Sequence, residues 1–226
     1  VYAVNSAGGA WASPALPFGP ARTLYVASGT PGTGSGRTWG EAFGVIQEAL
    51  DACRDDKTNI IRLKGGTYLA PDGGFVWTRR NTFIYGGHEG IDGQEPGNRD
   101  PAQWPTILTR DTNALAVKTR IWDIRGVTNG ALDGVTVTGG HADPWIAYAA
   151  GGGLLIRQST NLTLNNCLVT NNWTDGLASG NGSTYTGPGG GLALYTSTVA
   201  IVGCTIADNY AYGRRNDINY FGAGLH

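Results

Sequence analysis

The feature that most restricts the fold of this chain is a segment that occurs twice. GGGLLIRQSTNLTLNNCLVTNN at 151–172 is followed by GGGLALYTSTVAIVGCTIADN at 189–209. A weaker copy at 132–140 aligns with 164–172, and GAGLH at 222–226 begins the segment again. Self-similarity at a period of about 20–50 residues is typical of solenoids, in which each repeat packs on its neighbours. The repeats therefore predict a stacked architecture.

Within each copy, apolar residues alternate over short stretches, as in Leu154 and Ile156. This period of two predicts strands with one buried face. Asn-Asn, Val-Gly and Asp-Gly lie between the strands, and these residues tolerate tight turns. We therefore expect a coil of short strands that stacks on itself with about 4.8 Å between strands. Equivalent residues should then lie one above another: Cys167 and Cys204, Val169 and Ile206, and Asn172 and Asn209.

The earlier part of the chain predicts a cap and several more strands. Thr38-Trp-Gly-Glu41 has the pattern of a capping box, and apolar residues at helical spacing follow it, so a helix is predicted over about 39–53. Short β-type runs follow at 59–68, 82–87 and 105–110. Residues 1–22 are rich in Ala, Gly, Pro and Ser and predict an extended arm. The β-helix domain is predicted over 23–226, with regular repeats over about 131–226.

The repeated pattern GGGL…C-x-[VI]-x-x-N resembles the GGxI and FxxN repeats of polymorphic outer-membrane-type proteins. More widely, 23–226 resembles bacterial surface and secreted proteins with right-handed parallel β-helix repeats. LYVASGTPGTGSGRTWGEAFGVIQEALDAC and ALDGVTVTGG are also similar to segments of such proteins. The resemblance implies an all-β, right-handed parallel β-helix with an N-terminal capping helix. Val169 and Ile206 stand where these repeats have an aromatic residue, which implies a slimmer core.

Composition excludes several classes of function and favours an extracellular location. The net charge is -1, and no Lys/Arg cluster exceeds two adjacent residues, so a nucleic-acid partner is not expected. No run of 18 apolar residues exists, so no membrane-spanning segment is predicted. The chain contains no Met, which favours an N-terminus made by cleavage of a secretory signal, or otherwise a trimmed chain. Glycosylation of the sequons at Asn161, Asn172 and Asn181 is left open.

The three longest segments between repeats predict a binding face. They lie at 141–150, 173–188 and 210–221, and stacking should bring them to one corner of the coil. Aromatic side chains suit a sugar ring or a protein partner. The alternative is that these loops fold over the sheet and bury their own rings. The candidate binding residues are the aromatic ones: Trp145, Tyr148, Trp173, Tyr185, Tyr210, Tyr212 and Tyr220.

Catalysis, a metal and a cofactor are not predicted. Many parallel β-helices cleave acidic polysaccharides with carboxylate clusters, but the carboxylates here form no such pattern: Asp143, Asp175, Asp208 and Asp217. His88 and His141 both follow Gly-Gly, yet no further ligand spacing accompanies them. Cys167 and Cys204 are expected to stack in the core, and a disulfide between them would be strained.

We therefore expect a secreted, non-catalytic structural or adhesive protein of the cell surface. Its expected partner is a second copy of itself or an extracellular polysaccharide. The alternatives are a polysaccharide lyase, a glycoside hydrolase or a carbohydrate-binding module.

Head-to-tail assembly into filaments is a further expectation. The apolar arm could add a strand to the open last rung of a neighbouring copy, or fold back along its own β-helix. The candidate interface residues lie in these two segments: Val1, Tyr2, Val4, Trp11, Phe18, Leu225 and His226.

Overall fold

The computed structural model describes residues 2–5, 8–11, 20–30, 34–111, 118–142, 150–175, 177–178, 184–185 and 189–212. These residues contain one helix, α1 (Ile46–Ala52), and short strands throughout. The strands are β1 (Tyr2–Asn5), β2 (Gly8–Trp11), β3 (Arg22–Val26), β4 (Asn59–Lys64), β5 (Gly66–Ala70), β6 (Phe75–Trp77), β7 (Thr82–His88), β8 (Thr106–Arg110), β9 (Trp122–Arg125), β10 (Thr128–Asp133), β11 (Val135–Thr138), β12 (His141–Ala142), β13 (Leu154–Arg157), β14 (Thr160–Asn165), β15 (Leu168–Thr170), β16 (Trp173–Asp175), β17 (Leu177–Ala178), β18 (Thr184–Tyr185), β19 (Leu192–Tyr195), β20 (Val199–Val202), β21 (Thr205–Ala207) and β22 (Tyr210–Tyr212).

Four parallel sheets form the body of the protein. Sheet I contains β3, β4, β7, β10, β14 and β20, and sheet II contains β5, β8, β11, β15 and β21. The corner sheet, which is the third sheet in each turn, contains β12, β16 and β22, and sheet IV contains β6, β9, β13 and β19. From β10 onward the chain visits sheet I, sheet II, the corner sheet and sheet IV once per turn. This cyclic order is that of a parallel β-helix, so the predicted fold class is confirmed.

The register between turns is the one that the sequence repeats predict. Leu154 pairs with Leu192, and Val169 pairs with Ile206. The weaker copy is also in register, because Leu132 pairs with Leu164. Equivalent residues of successive turns therefore lie one above another, because parallel strands in register repeat the same pleat in every turn.

The core is a set of stacked apolar side chains inside the coil. On sheet I, Ile61, Ile84, Leu132 and Leu164 lie in register and are almost completely buried. Val169, Leu154 and Leu192 are also buried, as predicted. Ile206 is only half-buried, which differs from the prediction, because it belongs to the last turn that the structure describes.

The helix is shorter than the capping box predicts. Glu41 N donates to Thr38 Oγ1 over 3.2 Å, but helix α1 begins only at Ile46 and has no side-chain cap. Phe43 instead forms a parallel bridge with Val26 at the free edge of β3. Pairing of 36–43 with this edge satisfies backbone groups that a longer helix would leave open. The apolar face of α1, with Ile46, Ala49 and Leu50 buried, joins the core beside β3 and β6.

The described part of the arm contains two short strands that form a hairpin. Strands β1 and β2 pair antiparallel, with Tyr2 opposite Trp11 and Val4 opposite Gly9. These two strands therefore satisfy each other's backbone on one side. Val1 and Phe18 lie outside the described residues.

Asparagine side chains close the corner between sheet II and the corner sheet. Asn172 and Asn209 are buried and stacked, as predicted, and Asn172 Nδ2 donates to Asn209 Oδ1 over 3.0 Å. Asn171 and Asp208, the residues before them, adopt φ of 53°, a left-handed conformation that Asn and Asp tolerate better than most residues. The corner therefore turns sharply at the same point in successive rungs.

Candidate functional site at the corner sheet

The corner sheet begins immediately after the buried asparagines. His141, Trp173 and Tyr210 are its first residues and pair with one another in register. The glycines that open the next repeat allow this close approach. A Cβ on Gly152 would lie 2.2 Å from Trp173 O, and one on Gly190 would lie 2.2 Å from Tyr210 O. The GGGL motif thus lets the backbone of the corner sheet lie directly against the next strand.

Rings from three successive turns form a row along this sheet. The ring centroids of His141 and Trp173 are 4.7 Å apart. The Arg110 guanidinium lies 5.2 Å from the Trp173 ring centroid, and its Nε donates to Gly139 O over 2.7 Å. Exposure rises along the row: His141 is buried, Trp173 is half-buried, and Tyr210 is 45% exposed. The rings of Trp173 and Tyr210 are thus the accessible part of the row.

A charged group lies beside the rings on the same face. Asp175 is two residues after Trp173 in β16, so both side chains point to the same side of the strand. Asp175 Oδ2 lies 2.7 Å from Lys118 Nζ and 2.9 Å from His141 Nε2. Lys118 Nζ donates a hydrogen bond to this oxygen, and His141 Nε2 lies in close contact with it.

The protonation states follow from burial and these contacts. Burial lowers the pKa of His141 below its ordinary value, although Asp175 partly offsets this effect. His141 is therefore neutral at pH 7. Burial alone would raise the pKa of Asp175, but its contacts with Lys118 and His141 outweigh burial and lower the pKa. Asp175 is therefore an ionised acceptor beside the Lys118 cation.

The structure places only part of the predicted aromatic set. Trp173 and Tyr210 share the corner sheet, and Tyr212 is opposite Asp175 in register. Tyr185 lies in β18, which pairs antiparallel with β17. Three of the predicted binding residues lie outside the described residues: Trp145, Tyr148 and Tyr220.

One observation favours the alternative that the loops cover the sheet. Leu155 lies between the inward-facing Leu154 and Ile156, and Ala193 follows the inward-facing Leu192. Both residues therefore point out of the coil. Both are nevertheless fully buried and pack with Ala150 at the end of the first loop. The outer face of sheet IV is therefore covered at this point, whereas Tyr210 on the corner sheet is exposed.

Sequence reasoning missed Arg110, Lys118 and the contact between His141 and Asp175. The position of His141 has a signal in the sequence. His141 follows Gly140 as Trp173 follows Asn172, so the repeat alignment assigns it to the same row. Arg110 and Lys118 lie in parts of the chain without a repeat pattern. Only the folded coil brings Arg110 to Trp173 and Lys118 to Asp175.

The described residues form no metal site. No group of three or more His, Cys, Asp or Glu side chains in the described ranges could hold a metal ion. His88 is not beside His141, because it packs against Trp39 and Arg62 on sheet I. Among the described residues, those whose contacts lower the pKa of Asp175 are Lys118 and His141. Asp143 and Asp217 lie outside the described residues, as do Leu225 and His226 of the expected assembly interface.

The cysteines and sequons have defined environments. Cys53, Cys167 and Cys204 are free thiols, and Cys167 N donates to Cys204 Sγ over 3.4 Å. Burial keeps the pKa of Cys53 high, at about 11. Asn172 is fully buried with its Nδ2 bonded, so this sequon cannot accept a glycan in the folded protein. Asn161 is exposed, and Asn181 lies outside the described residues.

Comparison of the chain with models of protein families, with curated proteins and with solved structures finds no match. No helix in the described ranges is long and apolar enough to span a bilayer.

Proposed function

We propose that this protein is a secreted, non-catalytic adhesive scaffold that binds an extracellular polysaccharide along its corner sheet. The observation that supports the proposal is the in-register row of His141, Trp173 and Tyr210 beside an ionised Asp175. A flat aromatic face suits the apolar face of a sugar ring. Asp175 can accept a hydrogen bond from a sugar hydroxyl, and Lys118 can donate one.

The repeated geometry favours a polymer over a single sugar. Parallel strands place successive rings about 4.8 Å apart, so the accessible rings of Trp173 and Tyr210 can contact neighbouring units of one polymer. A rigid β-helix also holds these contacts in place without a conformational cost on binding. We further propose that the repeats are of the polymorphic outer-membrane type, on the basis of the GGGL and C-x-[VI]-x-x-N patterns, which lie in register in sheets IV and II.

The test is calorimetric titration of the full chain with neutral oligosaccharides, using cello-, xylo- and manno-hexaose as probes. Tyr210→Ala should weaken binding of the recognised probe about tenfold, equivalent to about 1.4 kcal/mol, because an exposed stacking ring is lost. Trp173→Phe should have a smaller effect in the same direction. Phe83→Ala, which removes a half-buried ring from sheet I, is the matched control. Failure of all three probes to bind, or equal loss in the control, would contradict the proposal.

Head-to-tail assembly stays a separate prediction. Of the expected interface residues, Tyr2, Val4 and Trp11 lie in the β1–β2 hairpin. Deletion of residues 1–18 should abolish any polymer seen by electron microscopy while leaving the fold intact. A parent protein that stays monomeric at high concentration would contradict this prediction.

A further inference from the structure

A cavity lined by cations lies at the first strand of sheet I, away from the corner sheet. Its volume is about 460 Å³, within the range of small-molecule sites, about 300–1,000 Å³. The lining contains Arg22, Arg37, Arg54 and Lys57 with Pro20 and Thr23, and no described lining residue is acidic. A pocket with this lining has a strong preference for an anion.

Two of these cations make no side-chain hydrogen bond or ion pair in the described part of the chain. The side chains of Arg37 and Lys57 form no hydrogen bond or ion pair with any residue that the structure describes. Arg22 Nη1 donates to Ala52 O at the end of α1. Arg54 contacts Asp56 at 2.9 Å, but both side chains are exposed, and such pairs contribute little and exchange readily. An anionic ligand could therefore be held by Arg37 and Lys57 without breaking a structural contact.

The backbone of β3 adds an unused donor and acceptor at the same place. Arg22 N faces β4 and donates to Thr58 O, so the next residue, Thr23, points its N–H and C=O to the outer edge. On that edge Tyr25 N donates to Gly36 O, and Ala27 N donates to Phe43 O. Thr23 has no such partner in the described ranges. Its N–H therefore has no partner among the described residues and can contact a ligand in the cavity.

The short length of this open edge indicates the class of ligand. A peptide that adds a strand needs several consecutive open residues on the sheet edge. Here the edge is already occupied from Tyr25 onward, so only Thr23 is available in this part of β3. A compact oxyanion needs only one N–H and a few cations. We propose that this cavity is a second binding site, which holds the carboxylate or sulfate of an acidic sugar unit with Arg37, Lys57 and Thr23 N–H; the choice of a sugar rests on the proposed polysaccharide function.

The experiment titrates the full chain with three soluble probes: oligogalacturonate, sulfated dextran oligomers and cellohexaose. At least one acidic probe should bind more weakly as NaCl is raised, because salt screens exposed charges. Oligogalacturonate tests for recognition of a carboxylate, and sulfated dextran tests for recognition of a sulfate. Binding of either probe supports the site. The double variant Arg37→Ala/Lys57→Ala should bind at least about tenfold more weakly, a change of about 1.4 kcal/mol.

The control variant Arg80→Ala/Arg125→Ala removes the same charge from two exposed arginines outside the cavity. It should bind like the parent protein. An amide chemical-shift change at Thr23 on addition of the bound probe is the second expected result. The proposal would be overturned if both double variants lost the same affinity for the acidic probe, or if the Thr23 amide shift did not change. It would also be overturned if a poly-glutamate peptide bound and neither acidic oligosaccharide did. Tyr210→Ala should not affect the acidic probe, so this site and the corner-sheet proposal can fail separately.

Discussion

Replacement of Asn172 by alanine should destabilise the protein more than a side chain of this size usually does. Asn172 Oδ1 accepts from Gly140 N over 2.9 Å, and Nδ2 donates to Val137 O over 3.0 Å and to Thr170 O over 2.9 Å. The bonds with Gly140 and Val137 are buried and join two turns of the coil, whereas the bond to Thr170 is partly buried and lies within one turn. Nδ2 also lies 3.0 Å from Asn209 Oδ1 in the next turn. At about 1 kcal/mol for each bond, alanine should lower the free energy of unfolding by about 3 kcal/mol. Asn172 does not have a positive φ, so backbone strain adds nothing to this figure.

The assay is urea unfolding followed by far-UV circular dichroism, with thermal unfolding as a second measurement. A loss of about 3 kcal/mol should lower Tm by about 6–12 °C for a chain of this size. Asn98→Ala is the matched control, because Asn98 Nδ2 makes one exposed bond, to Glu89 Oε2 over 3.0 Å. That control should change stability by less than about 0.5 kcal/mol. If Asn172→Ala loses no more than Asn98→Ala, the buried bonds do not hold the corner together.

Three further predictions follow from the core, the GGGL motif and a buried histidine. Val169→Asp should cost several kcal/mol, since it buries an unpaired charge, and an unchanged urea midpoint would contradict the register. Gly152→Ala should cost about 1–3 kcal/mol, because its Cβ would lie 2.2 Å from Trp173 O; an unchanged Tm would contradict this packing. Burial, with Arg62 and Arg99 nearby, lowers the pKa of His88 to about 4. The unfolded chain, with a His pKa of about 6.5, binds this proton first, so stability should fall by up to about 3 kcal/mol between pH 6.5 and 4. His88→Asn should remove that part of the acid loss in urea titrations at each pH, and an identical pH profile would contradict the assignment.

The repeats alone determined the fold and much of its register. Leu154 with Leu192 and Asn172 with Asn209 could be paired from the sequence, because an in-register coil must place equivalent residues one above another. The same logic assigned Trp173 and Tyr210 to one corner. The sequence predicted the structure less well in the part of the chain that lacks the repeat. The capping box at 38–41 predicted a helix start, but this segment forms a turn that pairs with the free edge of β3.

Only the tertiary structure decided which distant polar and charged groups lie beside one another. Lys118 lies 57 residues before Asp175, and Thr23 lies in a strand far from any repeat, so neither has a pattern that predicts its neighbours. Their contacts depend on how many residues each turn of the coil uses and on which edge of β3 is already paired. A local sequence pattern reports which side of a strand is buried. It does not report which distant segment lies against the exposed side, because that depends on how the preceding turns stack.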